Sequence, residues 1–167
     1  MTRLAKVLDD ELAAQGVDAA DLNSGDVEYA EAAIRGLVSR LKARRSWEAH
    51  LGTLLSHRQT LDLTGWSKQA LSQAVRNHRV LRLEGSGGHG YLLAGFDDQV
   101  PARPVPGLKE ALLPWAAVDP RGWAAASWLV SPQPELGGRT PLESLPAAGA
   151  RERVAAAARQ AAARLAA

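Results

Sequence analysis

A single glycine set between two helical patterns constrains this chain most. In Leu61-Asp-Leu-Thr-Gly-Trp-Ser-Lys-Gln-Ala-Leu-Ser-Gln-Ala-Val75, Gly65 supplies the permissive backbone that a tight turn needs, and Ser67 stands where a hydroxyl caps the next helix. Leu51, Leu54, Leu55 and Arg58 place a helical repeat before the turn. After it, Ala70, Leu71, Ala74 and Val75 fall on the side that would face a core. Gln69, Ser72, Gln73 and Arg76 follow the spacing that aligns side chains along the other face. Two helices joined this way have the outline of a DNA-reading helix-turn-helix. The outer stripe carries amides, a hydroxyl and cations, which can reach base edges or phosphates. It holds no carboxylate, whereas a purely solvating helix usually mixes both signs, and repulsion from phosphate accounts for that omission. Leu61 is large for a position near the helix crossing, so the crossing angle stays open. The residues expected at double-stranded DNA are Ser67, Lys68, Gln69, Ser72, Gln73, Arg76, Asn77 and Arg79.

Two short apolar runs follow, Val80-Leu-Arg-Leu83 and Tyr91-Leu-Leu-Ala-Gly-Phe96, around Glu84-Gly-Ser-Gly-Gly-His-Gly90. This pattern predicts a β-hairpin, and a hairpin directly after a recognition helix is a wing. The glycine loop lacks the Gly-Lys-Ser/Thr ending and the following helix of a phosphate cradle, so it reads as the wing tip. Of the four histidines, His50 and His57 are seven apart and could share a helical side. No carboxylate or third ligand accompanies them, and no metal site or cofactor is expected. His78 and His89 are placed to flank DNA. Nothing around Ser56, Ser67 or Ser86 supplies the His and acid that a serine nucleophile requires, so the chain does not read as an enzyme.

Charge is distributed unevenly behind a formal net of +2. From Met1 to Glu31 two basic residues stand against eight acidic ones, a net of −6; from Arg35 to Arg82 ten basic residues stand against Glu48 and Asp62, a net of +8. Positive potential therefore coincides with the helix-turn-helix, as phosphate contact requires. Arg40, Lys42, Arg44 and Arg45 are its densest part, and either touch DNA or complement the dipole at the end of a helix. The chain has no cysteine, which excludes disulfides and thiolate metal sites. Without a signal peptide or an apolar run long enough to cross a bilayer, a cytoplasmic location with no membrane partner is expected. One Phe and two Tyr accompany five Trp, so the tryptophans must anchor much of the packing.

The expected architecture is mainly α: a helical extension over 1–45, a winged helix-turn-helix over 46–100, and a small helical domain over 107–167. Leu4, Val7, Leu8 and Leu12 give a first helix to about Gln15, and Asp26 opens a second, with Val27, Ala30, Ile34, Leu37, Val38 and Leu41 as its apolar stripe down to about Arg45. That stripe needs a partner, either the winged module or a second copy. Pro101, Pro104, Pro106 and Gly107 predict a linker and a domain boundary, beyond which the chain should fold separately. Leu108, Ala111, Leu112 and Trp115 make a short helix, kinked or ended by Pro114. Asp119 before Pro120 reads as an N-cap opening a helix to Val130, and Thr140-Pro-Leu-Glu143 as a capping box. Ala150 to Ala167 forms a final helix with Val154, Ala158, Ala161 and Leu165 on its apolar side.

The run from Trp128 to Leu145, with Trp128, Leu129, Pro132, Leu136, Gly138, Pro141, Leu142 and Leu145 on the motif, resembles the toxin-binding domain of Xre/MbcA/ParS-type antitoxins. The resemblance covers roughly Leu108 to Ala167, about a third of the chain. It implies an oligomeric protein that binds DNA through an N-terminal helix-turn-helix and neutralises a toxin encoded beside it, often a RES-type toxin that consumes NAD. It also implies Trp128, Leu129, Pro132, Leu136, Pro141 and Leu142 as partner-binding residues, although tryptophan and leucine at helical spacing equally serve a core. Typical members begin with a compact five-helix Xre domain. Here an acidic helical extension precedes a winged module instead, a departure from that arrangement. The expected function is a self-repressing DNA-binding antitoxin, working as a homodimer or higher oligomer. The alternatives are a transcriptional regulator without a toxin and a protein-interaction adaptor.

Overall fold

The computed structural model describes residues 2–85 and 88–167, which form two compact units, Met1–Ala43 and Arg44–Ala167. In the first unit, helix α1 (Arg3–Ala14) is capped by Thr2, whose hydroxyl accepts the Ala5 N–H. Helix α2 (Ser24–Leu51) starts two residues before Asp26 and runs six past Arg45. Asp26 closes its cap instead of opening it, because the Asp26 N–H donates to Asn23 Oδ1 at 3.1 Å and the Asn23 N–H to Asp26 Oδ2 at 3.0 Å. The boundary between the units falls inside α2. Its stripe from Val27 to Leu41 lies open to solvent, apart from the half-covered Ala30.

The second unit opens with the end of α2 and continues through β1 (Leu54–Leu55), α3 (His57–Thr64), α4 (Lys68–Arg76), β2 (Arg82–Gly85) and β3 (Gly88–Leu92). All pairings are antiparallel and the strand order is β1-β3-β2, which is the topology of a winged helix-turn-helix. Leu54 and Leu55 are therefore not helical. Gly52, at φ 81°, stops α2 and lets the chain turn into an edge strand opposite Leu92 and Tyr91. The hairpin strands also differ from expectation: β2 begins at Arg82, β3 takes in Gly88, His89 and Gly90, and a 3₁₀ turn over Leu93–Gly95 replaces the end of the second apolar run. Of the expected wing tip, Ser86 and Gly87 lie outside the described residues.

The remaining helices are α5 (Leu108–Leu112), α6 (Trp123–Val130), α7 (Pro141–Ser144) and α8 (Ala150–Ala166). Asp119 does not open α6 from the adjacent position; its carboxylate accepts the N–H of Gly122 at 3.1 Å and of Ala125 at 2.8 Å, and the helix starts at Trp123. Thr140 and Glu143 form the expected capping box, and the bonds from Thr140 hold the Glu143 carboxyl below its ordinary pKa. On α8, Val154, Ala158 and Ala161 are buried, but Leu165 faces solvent.

One apolar cluster joins the wing to these helices. Leu51, Leu54, Leu83 and Leu92 pack with Leu108, Leu112, Trp115, Trp128, Leu129, Leu145 and the alanines of α8. Close packing of small alanines lets α8 approach α5 and the turn after it. The Pro101–Gly107 segment therefore does not separate two domains. It is stitched down: the Ala102 N–H donates to the Leu63 carbonyl, Asp97 N–H to Arg103, and Val105 N–H to Gly95, while Ala102 itself is buried. The prolines forbid regular structure there without preventing contact.

Candidate nucleic-acid interface

Helix α4 is joined to α3 by a short, well-capped turn. Ser56 and Gln59 cap α3 reciprocally, at 3.2 and 2.8 Å. Thr60 and Thr64, both buried, turn their hydroxyls back to the carbonyls four residues earlier, which satisfies them inside an apolar surrounding. Gly65 ends α3 at φ 67°, its N–H on the Leu61 carbonyl at 2.8 Å. Two residues on, the Ser67 hydroxyl accepts the Ala70 N–H at 3.1 Å and opens α4. A second apolar cluster fixes this geometry: Leu55, Leu71, Ala74, Val80, Tyr91, Phe96 and Ala102, flanked by Leu61, Leu63, Trp66 and Val75. Leu61 is accommodated at the edge of this cluster. Burial pushes the Tyr91 hydroxyl pKa up against a smaller opposing pull from Arg82, and its oxygen lies 3.2 Å from His57 Nδ1.

Lys68, Gln69, Ser72, Gln73, Arg76, Asn77 and Arg79 are all exposed, and α4 sets the first five on its surface. Ser67 is exposed too, but its oxygen is engaged in the cap, which leaves its proton as the group it can offer a ligand. Ala70, expected in the core, is exposed, and Val75 is only half-buried; Leu71 and Ala74 carry the inward face. No hydrogen bond or ion pair within the structure occupies the side chains of Lys68, Gln69, Gln73, Arg76 or Arg79 among the described residues.

The end of α4 departs from ordinary backbone. Asn77 caps it, the His78 N–H donates to Val75 and the Arg79 N–H to Ala74, and His78 takes the left-handed conformation at φ 55°. This arrangement usually falls to glycine, and a side chain there costs about 1 kcal/mol. His78→Gly is expected to raise the thermal midpoint by a few degrees, and a thermal melt of the variant checks this.

The wing is braced from the outside. The Glu84 N–H donates to the Arg121 carbonyl at 3.0 Å, and the Glu84 carbonyl accepts Trp123 Nε1–H at 2.8 Å and two guanidinium N–H groups of Arg121 at 3.2 Å. Arg82 pairs with the Glu84 carboxylate, and His89 stands opposite Glu84 on β3. Trp47 packs on Trp123 with centroids 4.7 Å apart, and His50 Nε2 lies 2.8 Å from Ser127 Oγ. His50 and His57 are accordingly engaged by Ser127 and Tyr91. Among the described residues no group of three or more His, Asp or Glu side chains is placed to hold a metal ion, and no helix is long and apolar enough to cross a membrane.

The expected partner-binding residues divide by burial. Trp128, Leu129 and Pro141 are core, Leu136 and Leu142 are half-buried against it, and Pro132 is exposed. The first three cannot meet a partner without opening the core, so their visible role is to build the module. Gln133 organises the turn between them, its side-chain amide donating to the Trp128 and Ser131 carbonyls at 3.3 and 3.0 Å. No protein-family model, curated protein or solved structure matches this chain.

Proposed function

We propose that this chain is a DNA-binding repressor of the antitoxin kind, which reads an operator in double-stranded DNA with α4, steadies itself with the wing, and holds a toxin on its C-terminal helices. The observation that carries the DNA reading is the free face of α4: amides and cations without a carboxylate, on the second helix of a winged helix-turn-helix. Gln73 and Arg76 have the groups that discriminate bases, and Lys68 and Arg79 those that neutralise phosphate. Partnership with a toxin rests on the motif from Trp128 to Leu145. Burial of Trp128, Leu129 and Pro141 favours a second reading, a regulator whose C-terminal helices serve only to brace the wing.

Binding to the DNA upstream of the chain's own reading frame, followed by fluorescence anisotropy in rising salt, tests the first part. Gln73→Ala and Arg76→Ala should each cost about 1 to 3 kcal/mol on the specific site and little on unrelated DNA. Lys68→Ala and Arg79→Ala should weaken binding to every sequence and each reduce the salt slope by about 0.9. Native affinity in the Gln73 and Arg76 variants would move the reading surface off α4. Co-purification with the product of the adjacent reading frame separates antitoxin from plain regulator.

A further inference from the structure

We infer that α2 is the self-association surface of this protein and that two copies pair along it antiparallel. Val27, Ala30, Ile34, Leu37 and Leu41 are spaced three and four residues apart in strict alternation, the seam of a two-helix coil. Val27 is 43 % exposed, Ile34 50 %, Leu37 39 % and Leu41 46 %, so the seam is unpartnered. Five layers are fewer than the three to four heptads that an isolated coil needs. Such a short seam gives a weak, concentration-dependent pair.

Charge decides the occupant and its direction. Asp26 and Arg40 flank one side of the seam, Glu31 and Arg45 the other. In a parallel pair in register, each flanking residue meets the one five positions on in the partner helix, so Asp26 faces Glu31 and Arg40 faces Arg45. Both contacts are repulsive. Turned antiparallel about a centre between Arg35 and Gly36, Ile34 meets Leu37, Ala30 meets Leu41, Asp26 meets Arg40 and Glu31 meets Arg45, each from the opposite copy. All four flanking contacts of the two-fold pair are then attractive, and the surface is complementary to itself as a closed dimer requires. The intrahelical pair of Arg35 with Glu31 at 3.2 Å is largely exposed and offers little resistance to sharing Glu31. The basic run that the sequence offered to either DNA or a helix dipole is thereby assigned to this seam at Arg40 and Arg45.

Sedimentation of the full chain tests the pairing without reference to DNA. The wild type should sediment with the mass of two chains at about 100 µM. Asp26→Arg with Glu31→Arg, and separately Arg40→Glu with Arg45→Glu, should each self-associate at least about tenfold more weakly, since like charges then face each other. Mixing the two variants should restore a dimer, and so should all four reversals in one chain. That rescue separates lost complementarity from a damaged α2 cap at Asp26. Fluorescence of the five tryptophans, which lie between Trp47 and Trp128, should be the same in every variant and report an intact second unit. A wild type that stays monomeric, reversals that still pair, or a mixture that associates no better than its components would each overturn the antiparallel seam.

Discussion

Gly122→Ala should destabilise the Arg44–Ala167 unit by about 3 to 5 kcal/mol and lower its thermal midpoint by about 10 to 20 °C. Gly122 sits at φ 81°, where a side chain already costs about 1 kcal/mol, and a Cβ there would lie 2.6 Å from the Arg82 carbonyl oxygen. That oxygen cannot retreat, because Arg82 is in β2 and paired with Tyr91 on β3. Leu81 and Leu83 crowd the same point at 3.1 and 3.3 Å. Gly138→Ala is the control. It too has a left-handed φ, 79°, but faces open space, and should lose only the conformational part. Melts followed by far-ultraviolet circular dichroism give both numbers. Equal losses for the two variants would show that the close approach of the 119–123 turn to the wing does not hold.

Cutting the chain near Pro104 should leave neither half folded. A fragment from Pro104 to the end loses Leu51, Leu54, Leu83 and Leu92 from its core, four side chains that are at most 7 % exposed. Burial of each is worth about 1.5 to 3 kcal/mol, so the loss is about 6 to 12 kcal/mol. A domain of this size has only about 5 to 15 kcal/mol in total. The fragment should show reduced helix content and no cooperative thermal transition. Met1 to Gln99 in turn loses Ala102 from beneath α3 and every partner of Leu83 on α5, α6 and α8. A fragment that melted cooperatively with native-like helix content would restore the boundary that the prolines predicted.

Where local chemistry decided an element, the sequence was legible: the Gly65 turn, the Ser67 cap, the Thr140 and Glu143 capping box, and the alanine-rich α8 all express forces acting within a few residues. Leu54 and Leu55 were not, because a two-residue strand has no period, and two leucines continue a helical repeat as readily as they pair with β3. Gly52 was the signal that could have found them. The Pro101–Gly107 segment misled for a different reason. Proline reports which backbone conformations are closed to the chain, whereas the bonds from Ala102 to Leu63 and from Val105 to Gly95 depend on residues folded in from elsewhere. The outward stripe of α4 was readable because exposure follows helical phase. The clamp on Glu84 was not, since Arg121 and Trp123 lie 37 and 39 residues away and nothing in their spacing marks the encounter.

That clamp has a thermodynamic consequence. The wing is tied at the Glu84 carbonyl to the residues that open α6, so a ligand that distinguishes two positions of α6 also distinguishes two positions of the wing. Under the proposed function, occupancy at the C-terminal helices and occupancy of DNA would form one linked equilibrium: whatever factor a captured protein applied to operator affinity, the operator would apply to the affinity for that protein, in the same direction and by the same amount.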